Sequence, residues 1–177
     1  MHDAASDPTR PSITPAQQWW ALAVFIALCA LTELMAAGLT AMSVKTWFLT
    51  LNKPGFTPPN SAFPIAWTLV YATLAYIGWT LWKHASQPGL FWPASMALGL
   101  YIIQLLLHVT WNIAFFGQQR LVDGLALMGL IWLLMLLSFP IYSRVSSCLK
   151  WWLLPYALWI TYAGVLLACI VQLNPVS

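Results

Sequence analysis

Charge is what this chain has least of: seven Lys/Arg and four Asp/Glu are spread through 177 residues. A soluble domain normally carries about a quarter of its residues as ions, so this scarcity excludes an ordinary water-exposed surface. The formal net charge of +3 is scattered over several loops and forms no patch, which gives no reason to expect a nucleic-acid partner. Cysteine is also scarce. Cys29, Cys148 and Cys169 have neither metal-ligand spacing nor the even count of a disulfide framework, and they read as small apolar fillers. There is no triad, metal cluster or pair of carboxylates for ordinary hydrolysis, so no residue is assigned as firmly catalytic and no protein-bound metal is expected. Apolar/polar alternation is missing too: the run at residues 121–139 is continuous Leu, Ala, Ile and Met, which excludes a membrane β-barrel.

What the chain has in excess is apolar length and tryptophan. Hydrophobic residues make up 61% of it and 12 residues are Trp. Apolar stretches at residues 19–43, 62–82, 90–116, 122–141 and 151–173 are each long enough, at about 1.5 Å per helical residue, to cross a hydrocarbon layer of about 30 Å. The expectation is an all-α, multi-pass integral membrane protein, a five-helix bundle forming a single domain over residues 19–177. Residues 1–18 are polar and proline-bearing and read as a flexible tail. They lack the charged start of a signal peptide or presequence, and the first apolar run is too long for a cleaved one, so a bacterial cell membrane is the expected location. Trp19, Trp20, Trp82, Trp92, Trp151 and Trp152 fall at helix ends on one face, with Trp47 on the other. They read as an interfacial belt.

The one substantial connection, residues 44–64 between the first two spans, carries Pro54, Pro58, Pro59 and Pro64. Proline fixes φ and cannot continue a helix interior, so residues 53–60 read as a stiff extended strap over the bundle end. Lys53, Pro54, Phe56, Pro58 and Pro59 are its expected lid residues. Asn60 or Ser61 is expected to cap the second span, and Pro64 is tolerable in its first turn.

Counting from helix ends places aromatic and polar side chains at similar depths below that strap: Trp67 and Trp111 at about 8 Å, His108 and Trp159 at about 12 Å, Tyr71 at about 14 Å. Gln104, His108, Trp111, Asn112 and Phe115 share one helical stripe. Polar groups at such depth need a partner or a cavity, and the set as a whole reads as a pocket rather than as interhelical packing alone. Glu33 falls near the midplane, about 15 Å deep, with His108, Gln104 or a backbone carbonyl as expected partners. Arg120 and Asp123 are spaced for a local ion pair. Ala37/Ala41 and Gly164/Ala168 have the four-residue spacing that permits close helix contact.

These residues carry a resemblance. The segment WFLTLNKPGFTPP, residues 47–59, followed by Phe63, Trp67 and Tyr71, resembles the W-Y-x-x-L-x-K-P-x-F-x-P-P signature of the TspO/MBR family, the tryptophan-rich sensory and translocator proteins, with Phe48 where Tyr is usual. QLLLHVTWNIAFF (104–116) and PYALWITYA (155–163) resemble two further family segments. Three positions depart: His108 stands where Asn is usual, Asn112 where Ser is usual, and Leu167 where an Asn closes the last motif. The resemblance implies a five-helix fold, commonly dimeric, around a pocket closed by the first long loop. It further implies a receptor, sensor or translocator for tetrapyrroles such as protoporphyrin IX or haem, with no obligatory cofactor. Phe48, Trp67, Tyr71, His108, Trp111 and Trp159 match the family's ligand contacts, and Gln104 joins them from the stripe. An imidazole at His108 adds the expectation of an axial bond to haem iron. Two alternatives stand beside this reading: light- and oxygen-dependent porphyrin degradation with Trp67 and Trp159 as the reacting tryptophans, and a sterol- or lipid-binding scaffold.

Overall fold

A computed structural model describes residues 13–87 and 89–175. It contains five membrane-length helices: α1 (Pro15–Val44), α3 (Ala62–Ala85), α4 (Phe91–Asn112), α5 (Leu121–Val145) and α6 (Leu149–Leu173), with a one-turn helix α2 (Trp47–Thr50) in the first long connection. The chain is an integral, multi-pass membrane protein with an all-α bundle.

The boundaries follow local chemistry. α1 begins four residues before the expected Trp19, because Thr14 and Gln17 form a reciprocal cap: the Gln17 amide donates to Thr14 Oγ1 at 3.3 Å and the Thr14 amide donates to Gln17 Oε1 at 2.8 Å. Pro15 then occupies the first helical position, where its missing N–H is harmless. The expected tail is shortened accordingly, and residues 1–12 lie outside the described residues. At α3 the expected side-chain cap is absent. Ser61 is already helical and makes no side-chain cap bond, and the Ala62 amide donates to the Pro59 carbonyl instead. Pro64 does sit in the first turn. α5 runs on through Pro140 to Val145, past the expected end at residue 141, as membrane helices tolerate. α4 ends in a π turn, Ile113–Gly117, closed by the Gln118 amide donating to the Ile113 carbonyl at 2.8 Å.

The helices form a closed ring in the order α1, α3, α6, α5, α4 and back to α1, with α3 also packed across it on α4. Gly78 on α3 is approached from both neighbours: a Cβ added there would lie 2.5 Å from Phe25 Cδ1 on α1 and 2.8 Å from Tyr101 Cζ on α4. The outer surface is apolar, with Leu34, Leu69, Leu106, Leu137 and Leu158 all exposed, as a hydrocarbon solvent permits. Trp19, Trp20, Trp92 and Trp151 are also exposed, at the positions expected for the belt. Arg120 Nε and Asp123 Oδ2 meet at 2.6 Å in the local ion pair anticipated from their spacing.

Candidate functional site

On the strap side the ring encloses a cavity of about 350 Å³, within the usual size range of small-molecule sites. α3 supplies Trp67 and Tyr71, α4 supplies Trp111, and α6 supplies Trp159. The π turn adds Phe115 and Phe116, since an i→i+5 turn lets Trp111 and the residue five later share a face. Phe48 from α2 and Phe63 close the upper wall. The rings interlock: Trp67 lies 5.9 Å from Trp111 and 6.1 Å from Trp159 between centroids, and Trp111 stacks on Phe115 at 5.4 Å. Such contacts hold aromatic planes in fixed orientation. Of the residues singled out in the sequence, Phe48, Trp67, Tyr71, Trp111 and Trp159 are therefore brought together on one cavity.

Gln104 and His108 are not on that surface. His108 is fully buried behind Trp67 and Tyr71, whose rings meet it edge-on at 5.5 and 5.8 Å. Its Nε2 lies 3.0 Å from the Tyr156 hydroxyl. Gln104 Nε2 donates to that same oxygen and, at 3.0 Å, to the Ile131 carbonyl. The Gln104 amide thus ties α4 to both α5 and α6 beneath the cavity, and His108 adds a second α4 contact to the same phenol. An axial bond from His108 to haem iron does not fit: Nε2 is engaged, Nδ1 is sealed, and two aromatic rings stand between the imidazole and the cavity. Glu33 likewise pairs with neither expected side chain; its Oε1 accepts from Thr68 Oγ1 at 2.5 Å across the α1/α3 seam.

None of the five expected lid residues lines the cavity; the chain above it contributes Asn60 and Pro64 instead. The strap is nonetheless tied down. Lys53 Nζ donates to the Phe48 and Leu51 carbonyls at 2.7 and 2.9 Å, and the Tyr162 hydroxyl donates to the Phe56 carbonyl at 3.0 Å. Asn174, just past α6, accepts from the Asn52 amide and donates to the Asn52 carbonyl, each at 2.9 Å. Pro54 caps a turn closed by Thr57. Pro58 faces a shallow outer groove beside Trp159 and Tyr162.

The wall that sequence reasoning missed is α1. Ala36, Ala37, Thr40, Ala41 and Val44 line the cavity, with Glu33 at one end of the row and Lys45 at the other. The three- and four-residue recurrence of small side chains was the available signal. Ala37 and Ala41, which share the four-residue spacing, both line the cavity. At Gly164 an added Cβ would meet Met128 Cγ at 3.6 Å, an ordinary van der Waals distance, so the α5/α6 contact does not require glycine there.

The TspO/MBR family profile matches residues 22–173. The chain belongs to the TspO/MBR family. It is 32% identical over 158 residues to the tryptophan-rich protein TspO of Chlorobaculum tepidum, covering 87% of this chain and 96% of that protein. It is 37% identical over 136 residues to TspO of Archaeoglobus fulgidus, covering 76% and 84% respectively. A translocator protein of Bos taurus is 32% identical over 152 residues, covering 83% and 86%. Within the TspO/MBR frame the three departures from the usual residues separate by position. Asn112 and Leu167 line the cavity directly, whereas His108 lies behind its wall.

Proposed function

We propose that this protein is a membrane receptor or translocator for tetrapyrroles, which it holds in the aromatic cavity by their faces and acid side chains, without axial ligation by His108. The carrying observation is the convergence of Trp67, Tyr71, Trp111 and Trp159 on one apolar cavity whose mouth bears Lys45 and Asn60. Aromatic planes suit a flat conjugated ring, and a cation at the interface suits its carboxylates. Tyr71 Oη, Trp111 Nε1 and Trp159 Nε1 are buried on lining residues without a hydrogen-bond partner, which favours a ligand that carries acceptors. The strap is proposed to act as a lid, with Asn60 at the cavity and its outer residues holding it in place.

The test is a titration of the solubilised protein with metal-free protoporphyrin IX and with haem, read by tryptophan quenching and by the Soret band. Both should saturate, and Trp67→Leu or Trp159→Leu should weaken both. No saturable binding of either moves the assignment to a sterol- or lipid-binding scaffold. The closeness of Trp67 to Trp159 and Trp111 favours one secondary reading, light- and oxygen-dependent degradation of a bound porphyrin, with oxygen as the oxidant of the macrocycle and Trp67 and Trp159 as the reacting tryptophans. Faster loss of porphyrin absorption in light with wild type than with the double variant Trp67→Phe, Trp159→Phe would support it. The protein is further proposed to act as a homodimer in a lipid bilayer.

A further inference from the structure

The cavity wall contributed by α1 is electrically polarised. Lys45 lies at the mouth and Glu33 at the inner end, twelve residues apart in sequence, which is about 18 Å along a helix axis. Between them the row is Ala36, Ala37, Thr40, Ala41 and Val44, and the facing wall is aromatic. A carboxyl near the bilayer midplane needs compensation, and this one has a single donor among the described residues, Thr68 Oγ1, on one of its two oxygens. Thr68 pins the carboxyl at the α1/α3 seam and leaves Oε2 without a described donor, on a residue that lines the cavity. Whatever fills the inner end therefore meets an acceptor with unused capacity. An apolar group placed there strips that oxygen of solvent and returns nothing, whereas an O–H or N–H group makes a hydrogen bond to it.

We propose that Glu33 determines specificity in this cavity. It selects ligands that carry an O–H or N–H donor on the edge of the ring opposite their acid groups, with Lys45 receiving the acids. The inference rests on the tetrapyrrole reading for the ring itself and goes beyond it in naming the substituent. Protoporphyrin IX presents vinyl groups on the edge opposite its propionates. By this geometry it is the poorer ligand beside an otherwise identical macrocycle with hydroxyl groups there.

Haematoporphyrin IX is that molecule, with hydroxyethyl groups replacing the two vinyls, and the pair makes the test. Both porphyrins are titrated into wild type, Glu33→Leu, Glu33→Gln and Thr68→Val in lipid nanodiscs, read by tryptophan quenching. The quantity followed is the ratio of the two dissociation constants, which cancels general effects on the cavity. Relative to Glu33→Leu, wild type should favour haematoporphyrin by about tenfold or more, the worth of one hydrogen bond to an acceptor otherwise left unsatisfied. Glu33→Gln, whose amide carbonyl still accepts, should keep part of the preference, and Thr68→Val should keep all of it. If Glu33→Leu does not fold, the Gln variant decides, its ratio falling several-fold below wild type. Equal ratios in wild type and the Glu33 variants, with both porphyrins bound, would overturn the proposal and leave the tetrapyrrole reading standing; a purely structural Glu33–Thr68 pair gives that result by weakening both ligands alike. Failure of both porphyrins to saturate wild type would overturn the reading itself and the proposal with it.

Discussion

Replacing Tyr156 by Phe removes a single oxygen atom from beneath the cavity, and its consequence can be worked out from the partners of that atom. Gln104 Nε2 donates to it, His108 Nε2 lies 3.0 Å away, and both side chains are buried, His108 completely. With the oxygen gone, Gln104 keeps its bond to the Ile131 carbonyl, but one amide hydrogen and one imidazole nitrogen lose their partners. Each such orphan costs about 1–3 kcal/mol in a dry interior. Interhelical hydrogen bonds in membrane proteins average only about 0.6 kcal/mol, because helices separated in lipid find other partners. The sealed position of His108, with no route for water or a lipid headgroup, places this case above that average, at about 2 kcal/mol for the variant. Equilibrium unfolding in mixed micelles by increasing denaturing detergent measures it. The variant that also carries Gln104→Leu and His108→Leu should recover much of the loss, since removing all polar partners leaves no orphan. A loss below about 0.5 kcal/mol, the range of substitutions away from any special feature, would refute the argument, as would a triple variant less stable than Tyr156→Phe alone.

Gly78→Ala should destabilise the bundle by about 1–3 kcal/mol by overpacking, because its new methyl falls 2.5 Å from Phe25 Cδ1; the same unfolding assay reads it. Asn174→Ala removes the reciprocal pair of hydrogen bonds to the Asn52 backbone, so bound porphyrin should dissociate several-fold faster in stopped-flow displacement while the midpoint of unfolding changes little. His108→Asn should leave the Soret position of bound haem unchanged, because His108 is screened from the cavity by Trp67 and Tyr71; a shift of the band would show that the imidazole reaches the iron. Gly124→Ala places a methyl 2.9 Å from Phe115 Cδ2 and should push that ring into the cavity, lowering porphyrin affinity more than stability.

The lipid environment explains why so much was legible in the sequence. In hydrocarbon every backbone N–H and C=O must be satisfied within its own segment, so helix count and approximate span follow from apolar length alone. The prolines of the strap and the order of Trp67, Tyr71, Trp111 and Trp159 along their helices are likewise local facts, and they placed the aromatic wall correctly. Helix ends were less legible: the cap formed by Thr14 and Gln17 and the continuation of α5 past Pro140 depend on individual hydrogen bonds that average hydropathy does not register.

Rotation of each helix about its axis was not legible at all. In a soluble bundle the polar face marks the outside, but here lipid and core are both apolar, and the stripe that faces a cavity resembles the stripe that faces acyl chains. Hence α1 entered the cavity through Ala36, Thr40 and Ala41, residues whose only sequence mark is smallness. His108 and Trp111, three apart on α4, diverged into a sealed hydrogen bond with Tyr156 and an open aromatic wall. Glu33 met Thr68 rather than His108 for the same reason. Five membrane crossings and aromatics gathered beneath a proline strap follow from residue order alone. Which side chains face the cavity came from packing between neighbours, because that packing sets helix rotation and leaves no trace in hydropathy.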